Sequence, residues 1–188
     1  APLVRAGDRL SMHVQRLIMP DRPLVPEFRA DQISAQFPQN GGFGYRGIDV
    51  DPTYDAAFEA GVPDWRLTVD GLVERPGSFT LDDVRSMPSR TQITLHACDE
   101  GWSAIGQWTG IQLRWLLEHV GVKDQARYVV FYCMDKIRGQ NLFESIDMLD
   151  ALHPQTLLAH GMNGDTLPKG HGAPLRLRIE LQVGYKNA

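Results

Sequence analysis

From Pro174 to Leu181 the chain reads PLRLRIEL, an unbroken two-residue alternation. Leu175, Leu177, Ile179 and Leu181 fall on one face, with Arg176, Arg178 and Glu180 on the other. An extended strand satisfies that period and a helix does not. The same period marks WRLTVDGLV, where Trp65, Leu67 and Val69 oppose Arg66, Thr68 and Asp70. RTQITLHA is a further strand, with Ile93 and Leu95 on one face, and ARYVVFYC is apolar enough for a central strand. Asn163-Gly164 in HGMNGDTLP is the strongest hairpin signal in the chain. IQLRWLLEHVG predicts a helix ending at Gly121, with Leu113, Leu116, Leu117 and Val120 inward. Thr80 precedes Asp83 by three residues, a capping-box signal, and SIDMLDALHP predicts a short helix stopped by Pro154. Strands outnumber helices and do not follow βαβ order, which predicts a mixed α+β fold.

The first 63 residues read as an N-terminal helix and a wrapping loop, and residues 64–188 as the core of one structural domain. Leu10, Val14, Leu17 and Ile18 share a helical face. Ser34 to Gly61 is rich in Gly, Pro and Asn and reads as a long loop or short irregular elements, which in a compact domain are often functional. With 188 residues, 43% of them hydrophobic and 22% charged, the chain can bury one good core. A net charge of -4 argues against a nucleic-acid partner, whose binding draws on excess Lys and Arg. No apolar run approaches the roughly 18 to 20 residues needed to cross a bilayer. The N-terminal APLVRAGDRL lacks a signal-peptide apolar core, so the chain reads as cytosolic or as a mature form.

Two segments carry chemistry. In LHACDEGW, Cys98 sits between His96 and the carboxylates Asp99 and Glu100. A lone cysteine of this kind is commonly a small buried hydrophobe, yet two adjacent acids are a poor setting for one. Those acids also raise a thiol's pKa and disfavour a free nucleophile, a difficulty that a bound metal removes. One thiolate without a Cys-x-x-Cys partner does not make a zinc site, so the remaining metal ligands would come from outside the protein. In LPKGHGAPLRLR, Lys169, His171, Arg176 and Arg178 stand within ten residues. Arg176 and Arg178 are either the solvent face of a strand or part of an anion site, to which Gly170, Gly172, Gly184 and Lys186 would add. Neither a Walker loop nor a Gly-x-Gly-x-x-Gly after a strand is present.

LHACDEGWSAIGQWTG and HGAPLRLRIELQVGYKNA together resemble the oxidoreductase molybdopterin-binding domain of the sulfite oxidase superfamily. The likeness is nearest to the small bacterial branch that contains periplasmic methionine sulfoxide reductase. It runs from about Asp64 to Ala188, with ARYVVFYC and GMNGDTLP in the expected order. The resemblance implies a β-rich α+β domain in which Cys98 is the one protein ligand to molybdenum, and so the catalytic residue. The sulfurs of molybdopterin and oxo or water groups would complete the shell. It further implies cofactor contacts at Cys133, at His171 just before Gly-Ala-Pro, and at Arg176. Lys186, Asn187 and Ala188 would hold the phosphate, while Phe37 and Asn40 of the N-terminal loop would close over the pterin. His96, two residues before the ligand and on the same strand face, would line the site.

The resemblance thus implies a molybdenum-pterin oxidoreductase performing two-electron oxygen-atom transfer on a small-molecule substrate. Electrons would be exchanged with a separate cytochrome or membrane haem partner, since no haem-attachment Cys-x-x-Cys-His occurs. The arginine set that surrounds sulfite in true sulfite oxidases is not found, so sulfite is not the expected substrate. A periplasmic, otherwise cytoplasmic, monomer is expected. Two rivals stay open: a non-catalytic pterin- or anion-binding module of the same fold, and a thiol enzyme using Cys98 with His96 as base.

Overall fold

A computed structural model describes Gly7, Leu10, Val14 and residues 23–39, 52–137 and 140–187. The described residues show the expected α+β mixture: short helices α1 (Pro52–Glu59), α2 (Leu81–Ser86), α3 (Leu113–Val120) and α4 (Met148–Ala151) among nine strands. The central antiparallel sheet pairs β3 (Ser89–Ala97) with β4 (Ser103–Gln112), and β4 with β7 (Leu157–Met162). Both β8 (Asp165–Thr166) and β9 (Arg176–Arg178) then pair with β7. Two separate hairpins flank this sheet, β1 (Arg66–Val69) with β2 (Gly77–Thr80) and β5 (Tyr128–Ile137) with β6 (Gln140–Asp147).

Local signals hold where the structure is local. The Thr80 hydroxyl accepts from the Asp83 amide at 2.9 Å and the Asp83 carboxylate accepts from the Thr80 amide at 2.8 Å, closing the capping box of α2. Helix α3 buries Leu113, Leu116, Leu117 and Val120 against Ile111, Leu158, Leu177 and Ile179, and Gly121 ends it at φ 69°. Asn163 and Gly164 take φ of 52° and 91°, as the turn joining β7 to β8 requires.

Three strands depart from the sequence reading. On β3 the buried face is the polar one, Gln92, Thr94 and His96, whereas Leu95 is 46% exposed. Strand β5 is not central: among the described residues it pairs with β6 alone, and Tyr132 is 78% exposed. The Arg176 and Arg178 side of β9 is not solvent either, at 3% and 1% exposure. Alternation records that a strand has two unlike faces; it does not record which one meets water.

The N-terminal segment also differs. Within Ser34–Gly61, residues 52–59 form α1, opened by Pro52 at the first helical position, and Tyr54 donates from its hydroxyl to the Ala173 carbonyl at 2.6 Å. Upstream, the amides of Phe28 and Ser34 donate to the Ile93 and Ile105 carbonyls at 2.8 and 3.0 Å, strapping this stretch along β3 and β4. Gly7, Leu10 and Val14 are helical with Leu10 and Val14 exposed, while Leu17 and Ile18 lie outside the described residues.

At the β4–β7 register shift, a Cβ on Gly110 would sit 2.1 Å from the Leu158 carbonyl oxygen and 2.5 Å from the Ala159 Cα. Both are backbone atoms and cannot rotate away. Gly110→Ala should therefore cost about 3 kcal/mol, the upper end of overpacking penalties, read as a lowered urea midpoint with unchanged m-value.

Candidate functional site

Cys98 follows β3 and opens the tight loop into β4. Its amide donates to the Trp102 carbonyl at 2.9 Å, the Gly101 amide donates to the Cys98 carbonyl at 3.2 Å, and Gly101 takes φ 91°. Only a residue without a Cβ adopts that conformation readily. The loop brings both acids close, with the sulfur 3.5 Å from Asp99 Oδ1 and 3.7 Å from Glu100 Oε2. Glu100 is fixed in turn by the Trp102 indole N–H at 2.9 Å. Burial, with the Asp99 and Glu100 charges adding to it, pushes the thiol's pKa above its ordinary value.

Beneath Cys98 lies a sealed polar layer. His96 is 2% exposed, and its Nδ1 stands 2.6 Å from Arg178 Nη1. Burial and then the charges of Arg178 and Arg176 push the imidazole's pKa down to about 3. Arg178 also donates to Glu180 at 2.9 Å, and its guanidinium stacks 4.3 Å from the Trp108 ring centre. Glu180 accepts a further bond from Gln92 Nε2 at 2.9 Å. Phe37 braces this layer, its ring centre 5.5 Å from those of His96, Trp108 and His171 and 5.8 Å from that of Trp102.

The second wall comes from the turn after β8 and from the tail. A 3-10 turn, Lys169–His171, is closed by Gly172 at φ 92°, and His171 is buried with its Nδ1 unpartnered. Arg176 donates to the His171 carbonyl at 3.1 Å and to the Asn187 carbonyl at 3.2 Å, so it fastens the turn to the tail. Burial and the neighbouring Arg178 lower its pKa to about 9, which leaves it a cation at neutral pH. Asn187 Oδ1 accepts from the Ile179 amide at 2.6 Å. Gly184 packs so closely that a Cβ there would meet His96 Nε2 at 2.7 Å and the Cys98 Cα at 3.3 Å.

An open cleft of about 1330 Å³ runs between these walls, larger than the roughly 300–1,000 Å³ of ordinary ligand pockets. Of the residues singled out from sequence, Cys98, Cys133, His171, Arg176 and Asn187 border it. His96 is sealed beneath Cys98 and Phe37 packs as a brace. Lys186 turns to the Glu144 carboxylate and the Ser145 carbonyl. Asn40 and Ala188 lie outside the described residues. Among the described residues, no three His, Cys, Asp or Glu side chains converge to hold a metal ion. Sequence reasoning did not single out Tyr54 or Gln92, and it placed Glu180 on the Arg176 and Arg178 face without giving it a role. For Glu180 the signal was the Arg-x-Arg-x-Glu run on one strand face, which puts opposite charges in a shared layer.

The family described as the oxidoreductase molybdopterin binding domain matches residues 55–188. YedZ1 of Azospira oryzae, named as a putative protein-methionine-sulfoxide reductase subunit, is 39% identical over 97% of this chain and 64% of its own. The protein-methionine-sulfoxide reductase catalytic subunit MsrP of Xanthomonas axonopodis pv. citri is 34% identical over 75% of this chain and 47% of its own. The chain thus spans less than two thirds of either relative. The sulfane dehydrogenase SoxCD from Paracoccus pantotrophus is similar in structure, with a TM-score of 0.56 and 27% identity over 62% of this chain and 33% of that one.

The Arg178–Glu180 pair is fully enclosed, with side-chain exposures of 1% and 0%. Glu180→Ala leaves the guanidinium buried without its anion, and should destabilise the fold by about 3 to 5 kcal/mol in chemical denaturation. A solvent-facing glutamate would change stability by less than about 0.5 kcal/mol.

Proposed function

Because the chain belongs to the oxidoreductase molybdopterin binding domain family, we propose that its cleft seats a molybdenum-pterin cofactor, with Cys98 as the metal's thiolate ligand, and reduces sulfoxides. The observation that carries this is that the Cys98 thiol and the buried cation Arg176 border the same cleft. The residues fit such a group. His171 Nδ1 is buried without a partner, and buried polar atoms are rarely left so in the absence of a ligand or water. Among the described residues, no cluster of protein side chains competes for the metal, as a centre completed by an organic cofactor requires.

When bound, the molybdenum would supply two-electron oxygen-atom chemistry. The chain's own residues do the rest. Cys98 is held at the loop by Gly101 and Trp102, and coordination would keep its sulfur deprotonated against the opposing carboxylates. Arg176 keeps a positive charge under the His171 turn, where it would hold the anionic part of the cofactor. Burial and Arg176 lower the pKa of His171, leaving the imidazole neutral and able both to donate and to accept. Tyr132 and Tyr185 are exposed aromatics on the same cleft, a rim suited to a methionine sulfoxide carried on a polypeptide. The relatives named for that substrate support the reading.

A separate redox partner and a periplasmic location complete the proposal; the relatives' description as subunits accords with a partner. No helix among the described residues is long and apolar enough to cross a membrane. The thiol-enzyme alternative fares worse. The thiol's pKa is raised, while His96, with Arg178 at Nδ1 and its own pKa near 3, is a poor base.

Cys98→Ser should stay folded but lose molybdenum-dependent turnover, because a hydroxyl is a harder and far less acidic ligand. Metal analysis and a methionine sulfoxide assay check this, and wild-type turnover in the variant rejects the ligand assignment. Arg176→Ala removes a charge-assisted contact worth roughly 1.5 to 3 kcal/mol. Pterin affinity, measured by titration of cofactor into stripped protein, should fall about ten- to a hundredfold.

A further inference from the structure

Arg178 is the most deeply enclosed cation among the described residues, and the reading of the cleft leaves it without a role. It touches neither the cleft nor solvent. A core filler does not need a guanidinium, because burying one unpaired is strongly unfavourable and an apolar side chain packs as well. Its contacts are specific: one nitrogen on Glu180 at 2.9 Å, the plane over Trp108, and Nη1 at 2.6 Å from His96 Nδ1.

Arginine has donors and no acceptor. A contact this short therefore requires His96 Nδ1 to present its lone pair, which leaves the ring's proton on Nε2. That nitrogen lies on the site side, since a single point above Gly184 is 2.7 Å from it and 3.3 Å from the Cys98 Cα. We propose that Arg178 is a positioning residue: it fixes His96 as an Nε2–H donor beside Cys98. Glu180, held by Gln92, keeps the guanidinium in the plane that makes this contact. The functional consequence rests on the reading of Cys98 as a metal-bound thiolate. His96 Nε2 and the Cys98 backbone both pack against Gly184, so an N–H fixed there adds a positive dipole end near the site, as outer-layer groups tune a metal centre.

Long-range proton–nitrogen correlation spectra of nitrogen-15-labelled protein read the tautomer directly, the His96 signals being those lost in His96→Gln. The expected result for the wild-type chain is a single neutral form protonated at Nε2. A ring protonated at Nδ1 overturns the proposal, and this measurement needs no variant of Arg178 to fold. The double variant Arg178→Met with Glu180→Gln removes both buried charges together. It should show mixed tautomers, keep its molybdenum and pterin, and lose about 10- to 100-fold in kcat with KM unchanged. An unaltered tautomer, an unaltered kcat, or parallel loss of cofactor each overturns it, the last because Arg178 would then only hold the site together. Failure of the cofactor reading is seen separately: a wild-type chain that takes up neither molybdenum nor pterin rejects that reading and leaves the tautomer result standing.

Discussion

The salt bridge between Arg178 and Glu180 decides how this sheet faces. Taking two charges out of water costs several kcal/mol apiece, and the cost is recovered only if every remaining donor and acceptor finds a partner. Gln92 bonds Glu180, His96 takes one Arg178 nitrogen and the aromatic face of Trp108 covers the guanidinium, while Arg178 Nε stays buried without a hydrogen bond. Those residues come from β3, β4 and β9 and the stretch just after it, so one ion pair fixes their relative register. The hydrophobic cluster on the opposite side, with Leu177 and Ile179 against α3, supplies the bulk driving force. The polar layer selects which face of the sheet becomes the floor of the site.

The cationic wall follows from the same arrangement. Once Arg178 is committed to the floor, Arg176, two residues earlier, must point to the same side and reaches the turn and the tail instead. After burial, the charge of Arg178 lowers the proton affinity of Arg176, and both arginines lower that of His96. Such concentration of like charge in a dry layer is unfavourable in isolation and fits a site that receives an anion.

What was legible in the sequence divides along physical lines. Helix α3 and the Asn163-Gly164 turn were readable because their determinants are local: a 3.6-residue period and a residue that accepts positive φ. The faces of β3 and β9 were not, because alternation treats a polar face as wet. Here Gln92, His96, Arg176 and Arg178 turn inward onto one another, and Leu95 is left outside. The apolar character of β5 said strand but could not say which layer; it forms a flanking hairpin. Helix α1 was hidden by its Gly- and Pro-rich surroundings, although Pro52 is itself a helix-opening residue. Cys98 stood out by chemistry, as a lone thiol followed by two acids, and the structure sets it on the cleft.

Gly184 links the site to the order in which the chain is made. The strands of the central sheet, and the loop that carries Cys98, all precede it in sequence. A nascent chain can therefore pair β3, β4 and β7 and bury α3 while His96 is still uncovered and Asn187 has yet to bond the Ile179 amide. Only when residues 184–187 arrive does the floor become dry and the second wall acquire its carbonyl from Asn187. In chain order, the cover over His96 thus comes after every strand of the central sheet and after the Cys98 loop on which it rests.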